Sequence, residues 1–258
     1  MVTRTSKILI GLAAALLPSA ASARATDSAQ VVVHRGRPVQ ITFAEPVGDA
    51  DYPTSLANAI HMAVAAHPRV RGFRVRVNVA NAPCGDTSAD VAAAKTVAAN
   101  PQNVAVLGQV CSSGFDQALP IYEAAGMVTI TGSATNDSLP SYGSIVFDRT
   151  VVSDGDGVDA WYPGVQARAP DVTWRRAYTA RFGLPPRPFA DLYFDATSLL
   201  LARLRAVSRL VRGNLIIDRA AHARAVRDTT SFRGVTCTIR LDPATGNRVN
   251  DPSALAQC

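Results

Sequence analysis

CSSGFDQALPIYEAAGMVTITGSATN, residues Cys111 to Asn136, is the stretch whose reading decides the fold. Two hydroxyl-rich turns lie in it, Cys111-Ser112-Ser113-Gly114 and Thr131-Gly132-Ser133-Ala134-Thr135-Asn136. Each follows a short apolar run, Val104 to Leu107 or Val128 to Thr131, of the length expected for a buried strand. Between the turns, Phe115 to Ala125 reads as a helix stopped by Gly126. Small ligands bind outside the carboxyl ends of the strands of an open parallel sheet. Two neighbouring Ser/Thr turns at such ends predict a site for a small polar molecule.

The same alternation extends to both sides. Val39 to Ala44 reads as a buried strand, followed by a loop holding Pro46, Gly48, Tyr52 and Pro53. Leu56, Ile60, Ala63 and Val64 recur at helical spacing up to His67-Pro68. Phe73 to Val79 alternates as a strand does, Ala89 to Ala99 reads as a helix, and Ile145 to Phe147 as another strand. Strands alternating with helices on short connections predict an α/β fold, a parallel sheet flanked by helices with right-handed crossovers.

After Asp148 this alternation stops. Val158 to Arg181 reads as one or two modest helices, and Pro185-Pro186-Arg187-Pro188 interrupts the chain. Phe189, Leu192, Tyr193, Ala196, Leu199, Leu200, Leu204 and Val207 form an apolar helical stripe, read as core and not as a cofactor box. Arg219 to Arg227 predicts a further helix and Val235 to Leu241 a strand. Too few strands lie here for a second parallel sheet, so this half is expected to pack back onto the first.

Residues 1–23 have the order of a secretory signal. Arg4 and Lys7 precede the apolar run Ile8 to Leu17, and Ser19-Ala20-Ala21-Ser22-Ala23 offers a cleavage site. The apolar run is too short to span a bilayer, and no cysteine adjoins the cut, so an exported protein without a membrane anchor is expected. The formal charge is +6, or +4 without Arg4 and Lys7. The arginines are scattered along the sequence apart from Arg175-Arg176 and Arg203 to Arg212, which argues against a nucleic-acid partner and points to no acidic one. Four cysteines in an exported chain, with no C-x-x-C pair, favour disulfides over metal. Chain order suggests Cys84 with Cys111 and Cys237 with Cys258, with the other pairings formally open.

Catalytic and metal chemistry find little support. Val110 stands two before Ser112, so the G-x-S-x-G elbow is absent, and none of His34, His61, His67 and His222 is paired with that serine by any motif. His61 and His67 are off a shared helix face. Asp154, Asp156 and Asp159 weakly match a calcium loop, but its twelfth position is Val165. No metal, cofactor or enzymatic activity is implied.

Several segments, taken in order, resemble a known family: VQITFAEPVGDADYPTSLANAIHMAV, CGDTSADVAAAKTVA, VAVLGQVCSSGFDQALPIYEAAGMVTITGSATN, FDRTVVSDGDG, FADLYFDATSLLLARLR and FRGVTCTIRLDPATGNRV. They are similar to the periplasmic leucine/isoleucine/valine-binding proteins, the type I solute receptors of ABC importers. The resemblance implies a type I periplasmic-binding-protein first lobe with flavodoxin-like strand order and remnant C-terminal helices packed back on it. It also implies a periplasmic monomer that captures a branched-chain amino acid and delivers it to an inner-membrane ABC permease. The Cys84–Cys111 spacing resembles the family's first-lobe disulfide.

The ligand role carries over to Ser112, Ser133, Ala134 and Thr135, whose hydroxyls and backbone groups would hold the α-carboxylate and α-ammonium, with Tyr52 as a further candidate. An ordinary helix-capping serine is the competing account of Ser112.

One departure stands out. Asp154-Gly155-Asp156-Gly157 runs almost directly into Val158-Asp159-Ala160-Trp161-Tyr162, where the family has most of its second lobe. The expected organisation is thus a signal (1–23), a first-lobe segment with the ligand turns (24–150), a hinge and second-lobe remnant (151–187, with Asp148 to Gly157 at the hinge), and a returning C-terminal segment (188–258). A non-transporting secreted module that binds protein is the alternative, and a secreted serine hydrolase ranks last for want of a base.

Overall fold

The computed structural model describes residues 30–46, 51–139, 143–157 and 172–249. The signal segment and Cys258 lie outside these, as do residues 158–171 of the expected second-lobe remnant, Trp161 and Tyr162 among them. Eleven strands are found among the described residues: β1 (Gln30–Val33), β2 (Val39–Glu45), β3 (Arg69–Val70), β4 (Phe73–Asn81), β5 (Asn103–Leu107), β6 (Thr129–Thr131), β7 (Phe147–Arg149), β8 (Arg209–Val211), β9 (Asn214–Asp218), β10 (Phe232–Gly234) and β11 (Cys237–Ile239). The helices are α1 (Asp51–Ala66), α2 (Thr87–Ala99), α3 (Ser112–Ala124), the single turn α4 (Asp154–Gly157), α5 (Val172–Phe182), α6 (Ala190–Val207) and α7 (Arg219–Arg227). None of the described helices is long and apolar enough to cross a membrane.

The main sheet runs β3-β4-β2-β5-β6-β7, and every pairing in it is parallel except β3 with β4. Taken alone, the parallel strands follow the flavodoxin-like order. Among the described residues this is the one parallel sheet. β1, β9 and β8 form a separate antiparallel sheet, and β10 pairs with β11.

Apolar runs explain the middle of the sheet. β5 is buried throughout, as a strand covered by helices on both faces must be. Phe43 of β2 meets Tyr193 of α6 edge to face, with ring centroids 5.5 Å apart. Leu199, Leu200 and Leu204 of α6 join Leu56 and Ile60 of α1 in the main core. The C-terminal half thus rests on the first.

Local chemistry sets the helix starts. Asp86 caps α2, its carboxylate accepting from the N–H groups of Ser88 and Ala89, and Asp218 caps α7 through Ala221. Cys84 and Cys111 are joined, 27 residues apart, tying the loop after β4 to the loop after β5. Cys237 is also disulfide-bonded.

The structure departs from the sequence reading in four places. Tyr52 and Pro53 are not in a loop but in the first turn of α1, a position that tolerates Pro because its N–H needs no helical partner. The strand expected at Ile145 to Phe147 lies at Phe147–Arg149, with Ile145 55% exposed and both charged residues fully buried. Asp148 and Arg149, assigned to a hinge, are therefore sheet core. The single strand expected from Val235 to Leu241 is a hairpin, because Asp195 of α6 accepts the N–H groups of Val235 and Thr236 (2.8 Å each) and bends the chain there. The short strands β1, β3, β8 and β9 had no counterpart in the reading.

Candidate ligand site

β2 and β5 are neighbours in the sheet, yet the chain leaves β2 for β4 on one side and reaches β6 from β5 on the other. Crossovers that diverge this way leave a crevice at the carboxyl ends of the two central strands. Ser112 follows β5, residues 133–136 follow the adjacent β6, and Tyr52 follows β2. Tyr52 is half-buried, its ring resting on the main core.

The two turns are bonded to one another. Cys111, not Ser112, is the N-cap of α3: its backbone is extended, its carbonyl accepts the N–H of Phe115 at 3.0 Å, and no side chain caps the helix. Ser112 is the first helical residue, and its Oγ accepts the backbone N–H of Asn136 at 3.2 Å. That removes the capping account of this serine. With its oxygen occupied as an acceptor, the hydroxyl proton is left to donate.

The second turn is built on Thr131. Its buried Oγ1 donates to the Gln109 carbonyl (3.0 Å) and accepts the N–H groups of Ser133 and Ala134 (3.2 Å each). Ser133 Oγ donates to the Val110 carbonyl at 2.7 Å, so the Tyr193 hydroxyl, 3.1 Å away, is the donor to Ser133. Burial pushes the Tyr193 phenol upward and keeps it a neutral donor. Ala134 is fully buried and its carbonyl accepts from Arg149.

Ser133 and Ala134 therefore spend their donors on the turn itself. Of the candidate residues, the Ser112 proton and the hydroxyl and N–H of Thr135 have no partner among the described residues, and the Thr135 carbonyl accepts from Asp154 at 2.9 Å.

Two residues that sequence reasoning did not assign to the site hold it in shape. Arg149, on β7, is fully buried and donates to the carbonyls of Ala134 (3.1 Å) and Asn136 (3.0 Å) and to Asn247 Oδ1 (2.8 Å). Its guanidinium lies 5.8 Å from the Phe147 ring centroid. Tyr193 comes from the apolar stripe of α6, where only the polar end of the ring distinguishes it from core. A charged residue two places beyond an expected strand was the one available signal for Arg149.

Hydrolytic chemistry gains nothing here. His222 is buried with its ring nitrogen 3.1 Å from the Leu200 carbonyl, and burial lowers its pKa to about 4. Among the described residues, no three His, Cys, Asp or Glu side chains gather as metal ligands.

Crystal structures with the same architecture are known. One from Rhodospirillum rubrum, of a branched-chain amino acid ABC transporter protein, matches with a TM-score of 0.69 and 15% identity over 82% of this chain and 95% of that one. This chain has the type I periplasmic-binding-protein fold. The LivJ substrate-binding protein of Streptococcus pneumoniae, solved with isoleucine, gives a TM-score of 0.68 at 15% identity, covering 83% of this chain and 94% of its own. A solute-binding protein from Rhodopseudomonas palustris, solved with 3,4-dihydroxybenzoic acid, gives 0.67 at 13% identity over 82% and 91%. No family model matches the sequence, and no curated protein matches it at a significant level. At these identities the likeness is one of fold.

Proposed function

We propose that this chain is the exported, periplasmic substrate-binding component of an ABC importer for amino acids, with a branched-chain amino acid as the default ligand. The observation that carries the reading is the uncapped start of α3 at the sheet's reversal point. There the first-turn N–H groups, the positive helix end and the Ser112 proton all favour a carboxylate. The Thr135 hydroxyl, across the crevice, can donate to the same carboxylate or accept from an ammonium. Isoleucine and 3,4-dihydroxybenzoic acid, bound by two proteins of this fold, share only the carboxylate end.

No bond is made or broken in this function. Capture is by Ser112, Thr135 and the helix end, on a turn shaped by Ser133, Ala134 and Arg149, with Tyr52 bordering the crevice. In two-lobed receptors, closure about a hinge buries the ligand. A ligand held from one side forgoes about three hydrogen bonds of 1–3 kcal/mol each, which takes a micromolar binder to roughly millimolar.

Calorimetry with the standard amino acids and benzoate at millimolar ligand tests this. Heat with leucine, isoleucine or valine is expected, weakened roughly tenfold or more in Ser112→Ala. Heat with benzoate alone would move the substrate class to aromatic acids. Silence throughout would sink the receptor reading and favour a protein-binding module.

A further inference from the structure

At the end of the sheet opposite the ligand crevice, three tight turns meet around an open hollow of about 650 Å³. They are the β1–β2 turn, with Arg35 and Arg37, the β3–β4 turn, with Arg69, Arg71 and Arg74 in and around it, and the β8–β9 turn, with Arg212. These arginines, scattered along the sequence, are gathered by the fold onto one surface. All six are exposed and no Asp or Glu lines the hollow. Among the described residues none of the six is ion-paired.

The turns are held firmly. Arg69 Nη1 donates to the Gly72 carbonyl at 2.7 Å, and the Arg35 N–H donates to Asn214 Oδ1 at 3.3 Å, linking the first turn to the third.

Two of the turns carry a cost that packing does not explain. Arg71-Gly72 and Arg212-Gly213 are two-residue hairpin loops with positive φ at both positions, 47° and 93° in one and 50° and 80° in the other. Such loops favour Asn or Asp first, and an arginine there pays a left-handed penalty. Like charges on neighbouring turns add repulsion. Leu210, 56% exposed, lies on the wall between them.

We propose that this hollow binds phosphates presented in multiples. Guanidinium groups grip phosphate oxygens in pairs, and six of them on a fixed frame match several phosphates better than one. Two sources carry that chemistry: the headgroups of an anionic bilayer, which an exposed leucine among arginines also suits, and a soluble polyphosphate.

Each source has its own arm in the test. Co-sedimentation with phosphatidylcholine vesicles, with and without phosphatidylglycerol, reads the first, and calorimetry with inorganic tripolyphosphate reads the second. Binding is expected in at least one arm, falling steeply with salt. The triple variant Arg37→Gln/Arg71→Asn/Arg212→Asn should bind roughly a hundredfold more weakly, while the response to amino acids at the opposite end stays as it was. Asn suits both left-handed positions, so the hairpins are retained. If that variant fails to fold, Arg35→Gln/Arg74→Gln, neither at a positive φ, carries the test with about a tenfold loss expected. Absence of binding in both arms, or binding that the folded variants leave unchanged, overturns the proposal.

Discussion

The two ends of the main sheet handle charge in opposite ways. At the β7 edge, Phe147, Asp148 and Arg149 are all buried, and two later segments, α7 and the turn at Gly246 and Asn247, bond to them. Arg227 of α7 meets Asp148 at 2.8 Å and donates also to the carbonyls of Ser144 (2.7 Å), Pro243 (3.2 Å) and Phe147. The Arg149 N–H donates to the Gly246 carbonyl, and Arg248 donates to the Thr150 carbonyl at 3.0 Å. At the other end β4 has only the two-residue β3 as an outer neighbour, and Arg74, Arg76 and Val79 face solvent. Lys or Arg on a wet edge deters pairing with another chain. A buried charge instead requires close partners. Arg227 supplies one to Asp148 Oδ1, and Asp148 Oδ2 has none among the described residues. Charge type does not separate the edges. The number of partners does.

Breaking the buried end should have the largest effect. Arg227→Met leaves Asp148 and several carbonyls without their donor and should cost about 3–5 kcal/mol, whereas Arg74→Ser on the wet edge should stay within about 0.5 kcal/mol. Urea denaturation midpoints measure both, and equal losses would erase the distinction. Burial pushes the Asp148 carboxyl up to about 8 despite the pull of Arg227, so Asp148→Asn, which keeps an acceptor for Arg227, should cost less than Arg227→Met.

Next comes the disulfide, the covalent counterpart of this cover on the β4 side. Cys84 and Cys111 close a loop of 27 residues, and Cys84→Ser/Cys111→Ser should cost about 3–4 kcal/mol in the chain-entropy model. If the double variant unfolds at the same urea concentration as the parent, the loop is held by its packing and not by the link.

Arg149→Met follows, at about 1–3 kcal/mol, because the buried Ala134 carbonyl is left without its donor while the exposed Asn136 can turn to water. Its effect should also reach the crevice, because both residues belong to the second turn. A variant that loses stability yet leaves ligand affinity unchanged would show that the turn keeps its shape through Thr131 alone.

How much of this was legible follows from the same contrast. β2, β5 and α6 declare themselves because their apolar runs are long and the burial they predict is what the fold provides. β7 was displaced by two residues because reading by polarity ends a buried strand where charge begins. The residues that make Asp148 and Arg149 tolerable, Arg227 and Asn247, lie far along the chain. β8 and β9 were obscured by Arg212 at a turn position ordinarily held by Asn or Asp, although Gly213 after the apolar pair Leu210-Val211 marks the hairpin.

The Ser112 and Ser133 turns were found by position at strand ends. Their division of labour was not, because it depends on Tyr193 and on which lone pairs the fold has already used.

The smallest effect sharpens the rule about partners, since Asp90 is a buried carboxylate that, among the described residues, lacks the cationic partner Asp148 has in Arg227. It lies on α2, 1% exposed, and its Oδ2 has no hydrogen-bond partner among the described residues. A Cβ at Gly114 would collide with that same oxygen and with Gln109 Oε1, so the glycine of the first turn exists to admit this carboxyl beneath α3. Burial, aided by the charge of Asp86, pushes Asp90 up to about 6 from an ordinary value of 3.8. The folded value lies above the unfolded one, so folding favours the protonated acid. Its contribution is full below pH 3.8 and is lost as the pH rises through about 6. Asp90→Asn keeps the neutral shape at every pH. Its melting temperature should match the parent's under acid conditions and exceed it increasingly between those two values, with the gap constant above. A parent that gains on the variant as the pH rises would mean that the ionised carboxylate has found a partner, and a missing partner would then no longer distinguish this carboxylate from Asp148.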